Sequence, residues 1–283
     1  MPRKSPRSRR RPGPASRLPK SRRSRPTPGR ARKAAATRPG RHAPKGARAT
    51  RATRTTGRKS SPGRRRSRFA SPAPERVAAI LTLLEGLYPE AMTALRFESA
   101  LQLLIATILS AQCTDERVNG VTPALFTRYP DARSLAAAKR EELEAMIHPT
   151  GFFRNKAKAI LSCCADIVSK HGGQVPDTLE SLTALHGVGR KTANVVLGNA
   201  FGIPGLVVDT HVSRLSRRLA LTDQTDPVKI ELALMEVIPR ERWTRFSHWL
   251  ILHGRRICVA RKPRCSICPL AVHCPRTGVT SSQ

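Results

Sequence analysis

The stretch Leu185–Gly202, LHGVGRKTANVVLGNAFG, decides the fold and carries the first candidate for chemistry. Gly187 and Gly189 flank Val188 in a turn, and apolar residues then recur with helical spacing over residues 190–201. Backbone N–H groups in such a turn can approach an anion, and the N-terminus of the following helix adds a partial positive charge. The stretch therefore predicts a phosphate-binding turn followed by a helix.

Lys191 lies in the first turn of that predicted helix and has two possible roles. It could simply contact a phosphate from solvent, together with its neighbour Arg190. Alternatively, the positive end of the helix and the adjacent guanidinium favour the neutral amine. A neutral amine is a nucleophile that forms a Schiff base with a sugar or carbonyl carbon. Position alone does not decide between the two roles.

Asp209 follows Lys191 by eighteen residues, in VVDTHVSRLSRRL, and comes directly after the apolar run 205–208. One interpretation is a simple N-cap that opens the next helix. The other is a carboxylate that faces the Lys191 amine, assists proton transfer and stabilises a developing sugar cation. Both interpretations place Asp209 at a helix start.

The hydrophobic spacing along residues 71–283 is helical throughout. In residues 75–89 one face is apolar, and the run ends at Pro89; its members are Val77, Ile80, Leu81, Leu84 and Leu87. Residues 98–112 are apolar nearly all round, which predicts a fully buried helix. We also expect helices over 154–173, 190–201, 210–219, 227–237 and 242–253. No segment alternates as a strand would, so the fold class is all-α.

Two local signals mark helix ends between these segments. Gly172 and Gly173 should stop the helix over 154–173, since glycine is frequent just past helix C-termini. Asp177, with Glu180 three residues later, has the spacing of a capping box and predicts the next helix start.

Four of the seven cysteines form a compact cluster near the C-terminus. Cys258, Cys265, Cys268 and Cys274 are spaced C-x6-C-x2-C-x5-C. One alternative is that these are free or buried structural cysteines. Another is a zinc site, but zinc sites with four cysteines usually pair two short knuckles across a longer loop. A single C-x2-C in a compact loop favours a 4Fe-4S cluster held by four thiolates.

The other residues of the cysteine-rich segment, and the other cysteines, have separate expectations. Three basic residues inside the loop can offset the negative charge of the cluster and form a ridge suited to a DNA backbone; they are Arg261, Lys262 and Arg264. Cys113, Cys163 and Cys164 fall in predicted helical runs, so we expect core or pocket residues there.

Charge divides the chain into two parts. Residues 1–70 hold 26 of the 52 Lys and Arg residues and none of the 19 acidic ones, so residues 71–283 carry a net charge of +7. A Pro-rich polycation cannot bury enough apolar surface to fold, so we expect a disordered basic tail that binds polyanions without sequence preference. An organellar transit peptide, a nuclear-targeting tail or a start codon assigned too far upstream are alternatives.

Composition also bounds the location of the protein. The sequence has no run of 18 apolar residues and no apolar signal-peptide core, so we expect no membrane span and a reducing compartment for the thiols. The expectation is a cytoplasmic, nucleoid-associated bacterial protein, with organellar or nuclear targeting by the basic tail as alternatives.

Taken together, these residues resemble the endonuclease III family of DNA glycosylases, in the helix-hairpin-helix superfamily. The resemblance runs through almost all of residues 71–283. Its segments, in order, are LLIATILSAQCTD (103–115), GFFRNKAKAI (151–160), GQVPDTLESL (173–182), GVGRKTANVVL (187–197), VDTHVSRLSRR (208–218), HWLILHGRRIC (248–258) and the four-cysteine loop.

The resemblance implies a fold and a reaction. The fold would be a six-helix barrel over residues 93–203 and a cluster domain built from 71–92 and 204–283. The enzyme, expected to be monomeric, would be a bifunctional DNA glycosylase and AP lyase that removes oxidised pyrimidines and cleaves 3′ to the abasic site by β-elimination. Lys191 would be the Schiff-base lysine and Asp209 the catalytic aspartate.

The resemblance also implies the residues that contact damaged double-stranded DNA. The turn Gly187–Val188–Gly189, with Arg190, would hold phosphate. Gln112 would fill the gap left by the flipped nucleotide, and Phe152 would wedge into the duplex. One departure is His186, which stands where the family usually has proline; His186 should loosen the turn slightly.

Three rival functions stay open. An adenine-mismatch glycosylase of the same superfamily would lack a lysine at position 191. A photodimer-specific lyase would use the same active site, which the sequence does not exclude. A non-catalytic DNA-binding protein would need the turn and the cysteine cluster, but neither Lys191 nor Asp209.

Overall fold

Helices make up the regular structure of residues 69–283, the part of the chain that this computed structural model describes. The α-helices are α1 (Pro74–Leu87), α2 (Ala100–Leu109), α3 (Asp115–Arg128), α4 (Ala132–Ala136), α5 (Arg140–Ile147), α6 (Phe153–His171), α7 (Leu179–Thr183), α8 (Arg190–Ala200), α9 (Thr210–Arg218), α10 (Pro227–Val237) and α11 (Trp243–Arg256). Residues 69–283 contain no strand, so the all-α prediction is confirmed. The predicted basic tail lies outside these residues, apart from its last two positions.

Two hydrophobic cores organise the helices. The first is built from α2 to α8, between Leu95 and Leu197. The second joins α1 to α9, α10 and α11, and includes Leu270 next to the cysteine-rich loop. The chain thus leaves the second core after α1, completes the first core, and returns after α8. None of the helices of residues 69–283 combines the length and the apolar character needed to cross a membrane.

Helix α2 forms the centre of the first core, as its sequence predicts. Seven of its ten residues, from Leu103 to Leu109, are buried. Ser99 begins the helix, because its side chain accepts a hydrogen bond from the backbone N–H of Gln102. Since one terminus is capped and the faces are apolar all round, α2 fixes the position of the turn that follows it, which carries Gln112.

The prediction that Asp177 caps the helix after residue 173 is wrong. Thr178 is the N-cap of α7, and its hydroxyl accepts from the backbone N–H of Ser181. Both residue types are good caps, and only the backbone path decides which side chain turns inward. Sequence periodicity did not predict α3, α4 and α5, which are less apolar than the segments around them. Asp131 and Ser134 form a capping box at the start of α4.

A buried polar contact joins α8 of the first core to α10 of the second. The Nε of Arg190 lies 2.7 Å from Oε2 of Glu231, whose side chain is almost fully buried. Asn194 donates from Nδ2 to Oε1 of Glu231 at 2.9 Å and to the carbonyl of Leu206 at 3.0 Å. A buried carboxylate needs such partners, because an unpaired charge in the interior is strongly unfavourable. The contact holds α8, and therefore Lys191, against the second core.

Candidate active site

Lys191 and Asp209 border the same cavity, which has a volume of about 150 Å³ and is lined by residues of both cores. Lys191 is exposed in the first turn of α8. Asp209 is the N-cap of α9, and its Oδ1 accepts hydrogen bonds of 2.8 Å from the backbone N–H groups of His211 and Val212. Asp209 is thus a helix cap, and the same residue lines the cavity with the lysine.

Three polar residues of this cavity escaped the sequence analysis. Arg255, near the end of α11, lies 3.4 Å from Oδ2 of Asp115 at the start of α3. His248 packs at the side of the cavity with its Nε2 2.9 Å from Oδ1 of Asn199. Burial lowers the pKa of His248 to about 4, so this ring is neutral at pH 7. His248 and Arg255 lie on α11, far in sequence from Asp115 and from Lys191, so no local pattern connects them to the rest of the cavity.

The turn before α8 has the geometry that its glycines suggested. Gly187 has φ of +76°, and a Cβ there would meet the Cβ of Ala159 at 3.0 Å. Val188 is buried, and its N–H donates to the carbonyl of Leu185 at 3.2 Å. Gly189 is the N-cap of α8. Glycine at 187 is therefore required both by the left-handed backbone and by the close approach of α6.

His186 begins this turn with a hydrogen bond that proline could not make. Its backbone N–H donates to Oδ2 of Asp166 on α6 at 2.9 Å. The Lys170 ammonium, 2.6 Å from Asp166, and the His186 N–H together lower the pKa of the Asp166 carboxyl. Proline would pre-set the turn but has no N–H. In this chain the hydrogen bond to Asp166 therefore fixes the turn to α6.

Gln112 and Phe152 line a second cavity, together with Gly187. Both residues have left-handed backbones, with φ of +54° for Gln112 and +47° for Phe152. Such conformations are unfavourable for residues with a side chain, by about 1–3 kcal/mol each, and they cluster at functional sites. Phe152 is 64% exposed although it is a large apolar residue. The two candidate DNA-intercalating residues thus lie at one opening, on two strained turns.

Lys156 is a buried lysine in the wall of the second cavity. Its Nζ donates to the carbonyls of Leu109 and Thr150, at 2.8 Å each. Burial lowers the pKa of Lys156. The sequence indicates the burial of Lys156, because Lys156 shares a helix face with buried residues at the spacing 156, 160, 163 and 167.

Arg190, a candidate phosphate contact, is engaged elsewhere in the protein. Its guanidinium is paired with Glu231, as described for the junction of the two cores. The side chain is nevertheless partly exposed, at 35%. Its contact with DNA stays a prediction, and its role in holding α8 to α10 is an additional finding.

The four clustered cysteines line a single cavity after α11, and all four are free thiols. Burial and the neighbouring cysteines raise the pKa of Cys268 and Cys274. Within residues 69–283, no three His, Cys, Asp or Glu side chains converge closely enough to hold a single metal ion. All four sulfurs border the same cavity, as the ligands of one cluster must.

Arginine from α9 supports this cysteine loop. Arg218 donates from Nη1 to Sγ of Cys258 at 3.3 Å and to the carbonyl of Val259 at 2.8 Å. Arg264 lines the cavity, and all three basic residues of the loop, Arg261, Lys262 and Arg264, are exposed. They can form the basic ridge expected from the sequence. The cation that contacts a cysteine sulfur is Arg218 of α9, which lies 40 residues before Cys258 in the sequence.

The remaining cysteines divide between core and pocket. Cys163 and Cys164 are buried in α6, and burial raises the pKa of Cys163 to about 12. Cys113 lies in the turn after α2, so the prediction that it lies within a helix is wrong. It lines a pocket of about 470 Å³ with Asp115 and Arg255. The apolar run of α2 ends earlier than its composition suggested.

Comparison with known proteins identifies the family. The family described as "HhH-GPD superfamily base excision DNA repair protein" matches residues 105–240, and the "Iron-sulfur binding domain of endonuclease III" matches residues 258–274. Endonuclease III of Synechocystis sp. is 58% identical over 202 residues, which cover 71% of this chain and 92% of that protein. The chain belongs to the endonuclease III family.

A second relative and two solved structures are also similar to this chain. Endonuclease III of Escherichia coli K12 is 44% identical over 192 residues, covering 67% of this chain and 90% of that protein. A solved structure of a trapped endonuclease III–DNA covalent intermediate matches with a TM-score of 0.69 and 41% identity, over 72% of this chain and 97% of that one. A thermostable thymine-DNA glycosylase, at 20% identity and a TM-score of 0.65, shares the fold.

As a member of the endonuclease III family, the protein is a bifunctional DNA glycosylase and AP lyase of base excision repair. It is a DNA-binding enzyme with a 4Fe-4S cluster, and the iron–sulfur family match over residues 258–274 spans the four clustered cysteines. The iron–sulfur family match confirms the cofactor predicted from the cysteine spacing. The four free thiols that line one cavity are consistent with it.

Proposed function

We propose that Lys191 is the nucleophile of this enzyme. Its amine attacks C1′ of the damaged nucleotide, and the C1′–N bond to the base breaks as the base takes up a proton. The C1′–O4′ bond then breaks, O4′ takes up a proton, and the protonated Schiff base that remains acidifies the adjacent sugar carbon C2′. Loss of that proton expels the 3′ phosphate by β-elimination. The observation that carries this proposal is the shared cavity of an exposed lysine at a helix start and a carboxylate from the other core.

Asp209 then acts as the proton-transfer group and as the negative charge opposite the sugar cation. Its position at the start of α9 suits both tasks, because the two N–H groups that bind Oδ1 fix the carboxylate without neutralising it. Within the described residues, Oδ2 has no hydrogen-bond partner and is available to face the reacting sugar.

Recognition of the damaged site follows from the second cavity and the turn before α8. A base inside a duplex is out of reach of a side chain, so the nucleotide must be flipped out. Gln112 fills the space it leaves, and Phe152 separates the neighbouring bases. The backbone of Gly187–Val188–Gly189 holds the phosphate, aided by Arg190. The common opening of Gln112, Phe152 and Gly187 supports this division of roles.

The proposed substrates are oxidised, ring-saturated or fragmented pyrimidines in double-stranded DNA. The target nucleotide would meet the Lys191 amine at the cavity of about 150 Å³ that Asp209 also borders. The photodimer-specific lyase stays the alternative, because it would use the same two catalytic residues.

The wider organisation of the molecule is also a proposal. The two hydrophobic cores support a six-helix barrel over residues 93–203 and a cluster domain of residues 71–92 and 204–283. We expect a monomer whose N-terminal basic tail adds non-specific affinity for DNA or other polyanions. The four cysteines hold the cluster after α11, in a cavity that shares no lining residue with the cavity of Lys191 and Asp209.

The test is a borohydride trapping assay. The full-length protein is incubated with duplexes that each carry one defined lesion, and covalent complexes are counted after reduction. We expect trapping on ring-saturated and fragmented pyrimidines and on abasic sites. Trapping on photodimers alone would support the alternative lyase, and base release without a covalent complex would contradict the Schiff-base mechanism.

A further inference from the structure

Lys156 connects the two turns that carry Gln112 and Phe152. Its Nζ donates to the carbonyl of Leu109, three residues before Gln112, and to that of Thr150, two residues before Phe152. Its backbone N–H donates to the carbonyl of Phe152 itself, at 3.2 Å. One residue therefore binds the end of α2 and both sides of the turn that begins α6.

The two turns need such a support. Gln112 and Phe152 both have left-handed backbones, which persist in a residue with a side chain only where the surrounding structure imposes them. The loop from Thr150 to Phe152 is short, and Phe152 itself is exposed, so its own side chain supplies little packing. The buried ammonium supplies directional contacts at this point.

Burial of Lys156 points to a specific role for its charge. The side chain is 5% exposed and sits on the face of α6 that packs into the first core. A charged group is costly to bury unless it is hydrogen-bonded, so a position that served packing alone would favour an apolar side chain. The two carbonyls that accept its hydrogen bonds lie on separate elements, and only a long donor reaches both.

We propose that Lys156 is a positioning residue for base flipping, which holds the Gln112 turn and the Phe152 turn at a fixed separation. This rests on the proposed function, in which those two side chains enter the duplex. Lys156 makes no contact with DNA in this role. It acts through the two turns, so its importance should depend on whether the substrate is a duplex that has to be opened.

The experiment compares Lys156→Met with Lys158→Met, which makes the same change at an exposed position of α6. Both are measured in single turnover, with saturating enzyme, on a lesion duplex and on a single-stranded oligonucleotide with an abasic site. We expect Lys156→Met to slow duplex excision by about 10- to 100-fold, the scale of a misplaced positioning group. Cleavage of the single strand, and both activities of Lys158→Met, should change by less than about twofold.

A double-mutant cycle with Phe152→Ala separates positioning from general destabilisation. If Lys156 acts through Phe152, then adding Lys156→Met to Phe152→Ala should slow duplex excision much less than Lys156→Met slows the wild type. Full additivity, or an equal loss on duplex and single strand, would overturn the proposal. Should Lys156→Met not fold, Lys156→Gln, whose amide can still donate, replaces it in the same cycle.

The outcomes also separate this inference from the proposed function. A wild-type protein that cleaves neither substrate would refute the proposed reaction. A wild-type protein that cleaves both, with Lys156→Met indistinguishable from Lys158→Met, would refute only the positioning role of Lys156.

Discussion

Lys191 is exposed at the start of α8, where its amine borders the cavity that Asp209 shares. We expect Lys191→Ala to abolish borohydride trapping on damaged DNA but to keep DNA binding, because the phosphate contact proposed for the turn before α8 is made by its backbone. Lys191→Arg should also fail to trap, since a guanidinium stays protonated and cannot form the imine. Trapping by Lys191→Ala would identify another amine as the nucleophile.

Asp209 is an N-cap and, in the proposed reaction, a proton-transfer group, and one substitution can separate these two roles. Asparagine is also a good N-cap, so Asp209→Asn should keep the start of α9 and the melting temperature. Base excision should slow by about 100-fold or more, the scale of a lost general acid–base group. Single-turnover kinetics and thermal unfolding measure the two effects. A normal excision rate with a lower melting temperature would leave Asp209 as a cap alone.

At the scale of elements, the turn between α7 and α8 depends on the fit of Gly187 against α6. Gly187→Ala places a Cβ 3.0 Å from that of Ala159, in a left-handed backbone. We expect a loss of about 1–2 kcal/mol in unfolding free energy, from the left-handed conformation, and weaker binding to a lesion duplex. Urea unfolding and DNA titration measure these effects.

Gly120→Ala is the matched control for that substitution. Gly120 lies inside α3 with no atom within 4 Å of an added Cβ. Alanine there should stabilise the helix by about 0.5–1 kcal/mol, because glycine is the more flexible residue in the unfolded chain. If both variants bind DNA equally well, the geometry of the turn before α8 does not determine phosphate binding.

The cysteine loop is the second element with a direct test. The purified protein should be yellow-brown, with about four iron atoms per chain. Cys265→Ala should lower the iron content, loosen the loop beyond α11 and weaken DNA binding, because the cluster ties the segments of this loop together. Iron analysis, the visible spectrum and DNA titration measure this. A colourless protein with stoichiometric zinc, purified without oxygen, would contradict the cluster.

At the scale of the whole molecule, charge is concentrated in the first 70 residues, which hold 26 cations and no acids. Deleting this segment should leave single-turnover excision nearly unchanged, because the catalytic residues lie elsewhere. Non-specific DNA affinity should fall, and the slope of log affinity against log salt should become shallower by about 0.9 for each phosphate that the shortened protein no longer neutralises. An unchanged slope would exclude the segment as a DNA-binding element.

The sequence by itself determined the helical class, the longer helices and the cofactor. Helices such as 227–237 were predicted because the spacing of apolar residues is set within one window of the chain. The cysteine spacing identified the cluster for the same reason, since all four ligands lie within seventeen residues. Local sequence patterns also indicated Lys191 and Asp209 as candidate catalytic residues, because each lies at a predicted helix start.

Only the tertiary structure decided how these parts meet. Thr178 instead of Asp177 caps α7, because the backbone path and not the residue type selects the inward side chain. The left-handed turns at Gln112 and Phe152, and the lysine that joins them, depend on contacts up to 47 residues apart in sequence. A local pattern reports which residues can form a helix or bind a metal. Which distant carbonyl a buried ammonium reaches is fixed only when the helices of the first core pack together.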